Sequence, residues 1–177
     1  TNILGTLNLI EEAKKWECLE KFVFISSDKV VNANCNMGVT KLCAEGLVRK
    51  AGEKFVAVRF GNVMNSQGSV LKIWERQVKN NEPITITDKR MERYMMTIPQ
   101  ACELVIKAAT QGDNGEVYIL DMGKPKKIMD LKEELYPRYP IKETGIRKGE
   151  TLSERLMTEE EEATAEKRDD YWIIKNK

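Results

Sequence analysis

The chain has 177 residues, room for one ordinary domain or part of a larger one, with 41% hydrophobic and 32% charged residues, as suits a buried core under a solvated surface. With 29 Lys and Arg against 28 Asp and Glu the net charge is +1, which gives neither the broad basic field of a nucleic-acid binder nor the acidic block of a disordered tail. The apolar runs are of strand length, short of the roughly 20 residues a membrane helix needs, and the opening residues read as an amphipathic helix rather than a signal peptide.

Ile3, Leu7, Ile10 and Ala13 recur at helical spacing and predict a helix from Asn2 to about Trp16. Lys21-Phe22-Val23-Phe24-Ile25 is continuously apolar after its lysine, as in a strand covered on both faces, and runs into the polar group Ser26-Ser27-Asp28-Lys29. A second helix is predicted from about Gly38 to Ala51, with Leu42, Leu47, Val48 and Ala51 inward, and a second buried strand at Phe55 to Phe60. Strand, helix and strand in that order predict a parallel α/β sheet. Further along, Val70 to Asn80 reads as a helix, Ile84 to Thr87 as a strand, and Pro99 to Thr110 as a helix with proline in its first turn. Glu116 to Asp121 reads as a strand, Asp130 to Leu135 as a helix, Ile141 to Ile146 as a strand and Glu159 to Lys167 as a helix before the apolar run Tyr171 to Ile174. The passage from the sheet to a smaller lobe is expected between Gly61 and Val70.

Two absences shape the chemistry. With no histidine, Ser-His-Asp and Cys-His mechanisms are excluded, and proton transfer falls to Asp, Glu, Lys, Tyr or Cys. Cys18, Cys35, Cys43 and Cys102 form no CxxC pair, so no metal site is expected, and they read as free thiols of a reducing cytoplasm. A dinucleotide-binding sheet also carries a glycine-rich turn between its first strand and helix, where backbone amides meet the pyrophosphate. These residues contain no GxGxxG or GxxGxxG, so the sheet reads as beginning halfway through, as in a fragment.

The segment Phe22 to Lys29 (FVFISSDK), followed by Asn36 to Lys41 (NMGVTK), resembles the extended short-chain dehydrogenase/reductase superfamily. More narrowly it is similar to the polysaccharide-biosynthesis (CapD-like) nucleotide-sugar 4,6-dehydratases that make bacterial capsule, O-antigen and flagellar sugars. Asn2 to Asn8 (NILGTLN), Arg59 to Val70 (RFGNVMNSQGSV), Arg93 to Thr97 (RYMMT), Gly115 to Gly123 (GEVYILDMG) and Gly145 to Glu150 (GIRKGE) agree in the same order, nearly across the chain. The resemblance implies the C-terminal part of a Rossmann-like parallel sheet domain, residues 1–66, and a mainly substrate-binding smaller α/β lobe, residues 67–177, with some segments returning to the sheet. It implies NAD or NADP as cofactor, a UDP-sugar substrate and a homo-oligomeric full-length protein. The location implied is cytoplasmic, although larger family members carry an upstream membrane anchor.

Such an enzyme oxidises C4 of a hexose, eliminates water across C5 and C6, and reduces C6, the cofactor doing the redox work and the protein moving protons. By the resemblance, Ser27-Asp28-Lys29 carries a general acid, Asp28, and a general base, Lys29. A lysine is a base near neutral pH only where burial or a nearby cation favours its neutral form. Lys41 is a candidate for that cation, though in the superfamily its duty is to hold the nicotinamide ribose. Met37 is the main departure. It stands where the YxxxK tyrosine belongs, four residues before Lys41 and so on the same helix face, and a thioether cannot take the C4 hydroxyl proton. Either Asp28 or Lys29 relays that proton, or the chain is inactive; a subset of the family does carry Met there.

Ser26, Lys41, Gly61 and Val63 are the cofactor-side candidates. Asn62, Ser66, Arg93, Arg147 and Glu150 are the substrate-side candidates, the two arginines because guanidinium groups grip phosphate oxygens bidentately. Ser66-Gln67-Gly68-Ser69 opens a helix, a natural anion site, while Asn65 occupies a position where glycine is expected. Met91, Met95 and Met96 read as core packing. The first functional reading is a UDP-N-acetylglucosamine 4,6-dehydratase of the C5-inverting type. A UDP-sugar 4-epimerase is the alternative, against which Met37 counts, and a non-catalytic fragment that binds UDP-sugar weakly is the third. Little turnover is expected of these residues alone.

Overall fold

The computed structural model describes residues 1–176. Helix α1 spans Asn2–Lys14, strand β1 Phe22–Ser27, and a 3₁₀ turn Asp28–Val30. Helix α2 spans Asn36–Arg49, starting before Gly38 because Cys35 is extended and its Sγ accepts the Gly38 N–H at 3.4 Å. Strands β2 (Phe55–Phe60) and β3 (Asn62–Val63) precede helix α3 (Val70–Lys79) and strands β4 (Ile84–Ile86), β5 (Glu92–Arg93) and β6 (Met95–Met96). Helix α4 (Ile98–Gln111), strands β7 (Val117–Leu120) and β8 (Lys126–Lys127), helix α5 (Ile128–Leu135) and strand β9 (Ile141–Glu143) follow. The chain closes with helix α6 (Glu159–Thr164) and strands β10 (Glu166–Arg168) and β11 (Tyr171–Ile174).

These elements gather into two compact units. The first takes residues 1–60, 99–121 and 155–176 around a five-stranded sheet of order β1-β2-β7-β11-β10. Strands β1, β2 and β7 are parallel, with Ser26 opposite Arg59, and the β10–β11 hairpin adds antiparallel to β7. The parallel α/β sheet expected from the sequence is present, extended at one side by this hairpin. Four of the six β2 residues are apolar and buried, Phe55 to Val58, and Val117, Ile119 and Ile174 pack with Ala57. The second unit takes residues 61–98 and 122–154 around Trp74, Ile84, Ile86, Met91, Ile128 and Leu131. It contains the two-stranded pairs β3–β6, β4–β9 and β5–β8. Met91 and Met96 are buried and Met95 packs against the cluster.

The structure differs from the sequence reading in four places. Strand β1 is only partly covered, with Ile25 exposed, because it lies at an edge of this sheet with β2 as its one neighbour. Leu42 is 44% exposed rather than inward; α2 buries Ala44 and Glu45 along with the expected Val48. The helix expected to reach Lys167 stops at Thr164, since Ala165 is extended and Glu166–Arg168 pair with β11 through a turn in which Asp169 has φ 42°. The strand expected from Ile141 to Ile146 stops at Glu143. Among the described residues no helix is long and apolar enough to cross a membrane and no His, Cys, Asp and Glu group could hold a metal ion.

Candidate active site

Strand β1 delivers the polar group at its C-terminal end, the end at which open α/β sheets bind ligands. Ser27 caps the turn, its Oγ accepting the Lys29 N–H at 3.3 Å and donating to Asp28 Oδ1 at 2.9 Å. Lys29 Nζ donates to the same Oδ1 at 2.9 Å. Asp28 is 1% exposed, yet its Oδ2 has no hydrogen-bond partner, and the buried Ser26 Oγ has none either. Two unpaired polar oxygens buried within three residues are costly unless something occupies them.

Helix α2 supplies the other side chains. Lys41 Nζ donates to Ile25 O at 2.8 Å and lies 4.6 Å from the centre of the Phe24 ring, and burial pulls its ammonium below the ordinary lysine value. Met37 is 43% exposed. The structure thus gathers Ser26, Ser27, Asp28 and Lys29 at the end of β1 and ties Lys41 to the same strand.

One helical turn past Lys41, Glu45 joins a buried network that the sequence reading did not anticipate. Arg59, 2% exposed in β2, donates through Nε and Nη2 to Glu45 at 2.6 to 3.2 Å. Its Nη1 and Nη2 also donate to Glu161 at 2.8 Å each, and Nη1 to Leu156 O at 3.2 Å. Burial alone would favour the neutral arginine, but the Glu161 and Glu45 hydrogen bonds and charges outweigh it and hold Arg59 above its ordinary range. The signals were an arginine inside the apolar strand FVAVRF and a glutamate between Ala44 and Val48.

In the second unit, Gly61 brings β3 close to its neighbours: a Cβ there would meet Met122 Sδ and Tyr94 O, each at 2.9 Å. Asn62 and Val63 pair with Met95 and Met96. Asn65 adopts φ 59°, a left-handed conformation asparagine tolerates better than most residues, which explains how it occupies the expected glycine position. Ser66 Oγ donates to Val63 O at 2.8 Å, closing the turn that leads to α3. Arg93 is buried with its donors engaged: Nη1 to Glu92 O and Leu152 O, and Nη2 to Thr151 O at 2.8 Å. Glu150 and Glu154 lie 3.7 and 3.9 Å from Nη2. Arg93 therefore braces this unit through the Glu92, Thr151 and Leu152 carbonyls. Arg147 is exposed, and its backbone forms a turn with Glu150, whose Oε2 accepts the Arg147 N–H at 3.2 Å.

A parallel α/β sheet with buried, unpaired polar groups at its strand ends defines the ligand-binding end of a Rossmann-like enzyme fold. The chain belongs to the polysaccharide biosynthesis protein family, whose model matches residues 1–176. It is 46% identical over 172 residues to the capsular polysaccharide biosynthesis protein CapD of Staphylococcus aureus, covering 90% of this chain and 28% of that protein. The X-ray structure of Pen from Bacillus thuringiensis superposes with a TM-score of 0.90 at 40% identity, covering 98% of this chain and 58% of that one. A dTDP-glucose 4,6-dehydratase from Bacillus anthracis, solved in complex with NAD, shares the fold with a TM-score of 0.77 at 16% identity, over 90% of this chain and 60% of that one. The chain thus spans under two thirds of the length of each.

Proposed function

We propose that this chain is the catalytic and substrate-binding part of an NAD(P)-dependent UDP-N-acetylglucosamine 4,6-dehydratase acting in surface polysaccharide synthesis. The observation that carries the reading is the Asp28–Lys29 pair, a buried carboxyl with one oxygen bridged to an amine and the other unpaired, preceded by no histidine and accompanied by Met37 in place of a tyrosine. Membership of the family and the likeness to CapD support it.

The residues fit the reactive end of a nicotinamide cofactor: Ser26 has a buried hydroxyl without a partner, and Lys41 presents its ammonium at the end of β1. Ser26 and Lys41 would hold that end. When bound, the cofactor supplies hydride acceptance at C4 and hydride return at C6. Proton movement falls to the pair. Asp28 takes the C4 hydroxyl proton and later passes it to the departing C6 hydroxyl as water leaves. Lys29 takes the C5 proton and returns it to C5 as C6 is reduced, so both groups end as they began. Arg147, Glu150, Asn62 and Ser66 are proposed to recognise the UDP-sugar, Arg147 through its exposed guanidinium.

The test is to incubate the full-length protein with UDP-N-acetylglucosamine and NAD⁺ or NADP⁺ and follow the product by NMR. A 4-keto-6-deoxy sugar is expected, and Lys29→Ala should abolish it. Formation of UDP-N-acetylgalactosamine would replace this reading with a 4-epimerase.

A further inference from the structure

The first turn of α2 packs against the turn that carries Asp28 and Lys29, and the contact is made by a residue with no side chain. Gly38 is buried, and a Cβ built on it would lie 2.5 Å from the Lys29 carbonyl oxygen, 3.4 Å from the Lys29 carbonyl carbon and 3.3 Å from Ala33 Cα. All three obstacles are backbone, so no side-chain rotation relieves the clash. The same helix carries Gly46, where a Cβ would meet nothing within 4 Å.

We propose that Gly38 is a positioning residue: its missing side chain lets α2 close onto the Lys29 backbone and so sets the station of the Asp28–Lys29 pair relative to Met37 and Lys41. The inference rests on the dehydratase reading for its catalytic consequence, while the contact itself does not. A methyl group at position 38 needs the Lys29 carbonyl to retreat from 2.5 Å to ordinary contact beyond 3.4 Å, a displacement of about 1 Å, of the size that costs about 100-fold in rate when it misplaces a reacting group.

Gly38→Ala and Gly46→Ala are compared in the full-length protein. Gly38→Ala is expected to lower kcat about 100-fold with KM little changed, and Gly46→Ala to leave both as they are. In this chain without cofactor, Gly38→Ala should move the ¹³Cε resonance of Lys29 while Gly46→Ala leaves it in place. Wild-type kcat and an unmoved Lys29 resonance in Gly38→Ala would overturn the proposal. Should Gly38→Ala not fold, hydrogen exchange of the unmodified chain decides: Val31 N–H, bonded to Asp28 O, and Val39 N–H, bonded to Cys35 O, should open together as one unit. Independent opening also overturns it. If Lys29→Ala keeps dehydrating activity, the functional reading falls, and the Lys29 resonance still reports on Gly38.

Discussion

Asp28 illustrates how much one side chain can carry. It lies at the end of an apolar strand, one oxygen is held by Ser27 and Lys29, and the other is buried without a partner. Replacing it by Asn keeps the volume and removes the proton donor, so Asp28→Asn should lower kcat by about 10²- to 10⁴-fold with little change in melting temperature; steady-state kinetics and calorimetric melting check both. The two arginines picked out for phosphate binding should behave differently from one another. Arg147 is exposed, and Arg147→Ala should raise KM for the nucleotide sugar and leave thermal stability alone. Arg93 is buried against the Thr151 and Leu152 carbonyls and beside Glu154, so Arg93→Ala should cost about 3 kcal/mol in urea unfolding. The motifs RYMMT and GIRKGE made the two look alike, because a motif records residue type and order but not which donors the fold has already used.

Between elements, Arg59 does the joining. It links α2 through Glu45, β2 through its own backbone, and α6 through Glu161, which also accepts the Thr158 N–H at 2.9 Å in a capping box. Arg59→Leu strands Glu45, itself 1% exposed, without its countercharge, and should destabilise the fold by about 3 to 5 kcal/mol in urea unfolding. Burial pushes the Glu161 carboxyl up, but the Arg59 hydrogen bonds and charge outweigh it and hold it below the ordinary glutamate value of 4.5. A group depressed on folding adds stability above its unfolded value and loses it as pH falls through the folded one. Melting temperature should therefore fall as pH drops below about 4.5, and Glu161→Gln should flatten that acid limb, as a pH series of melts would show. The helices and the longer strands of this chain were legible from apolar spacing, but the two- and three-residue strands β3, β5, β6, β8 and β10 and this network were not. Its members lie 14 and 102 positions apart, and periodicity reports only neighbours within one element.

At the scale of the molecule, the sheet and the cofactor question meet. These 177 residues include those proposed to hold the reactive end of a nicotinamide but no glycine-rich turn for a pyrophosphate. Calorimetry of this chain against NAD⁺ should accordingly show no micromolar binding; a micromolar constant would mean that another segment cradles the phosphates. By itself the sequence determined the family and the parallel α/β class, the position of Asp28 and Lys29 at the end of a strand, and the presence of Met37 four residues before Lys41, since each is written in local order and spacing. Only the tertiary structure decided that Arg93 is a strut, that Asp28 keeps one oxygen unpaired, that Arg59 binds two glutamates, and that Gly38 meets the Lys29 backbone. The physical reason is common to all four: hydrogen-bond satisfaction and close contact depend on which distant backbone and side-chain atoms arrive at a place, and that is settled by packing rather than by the neighbours in the chain.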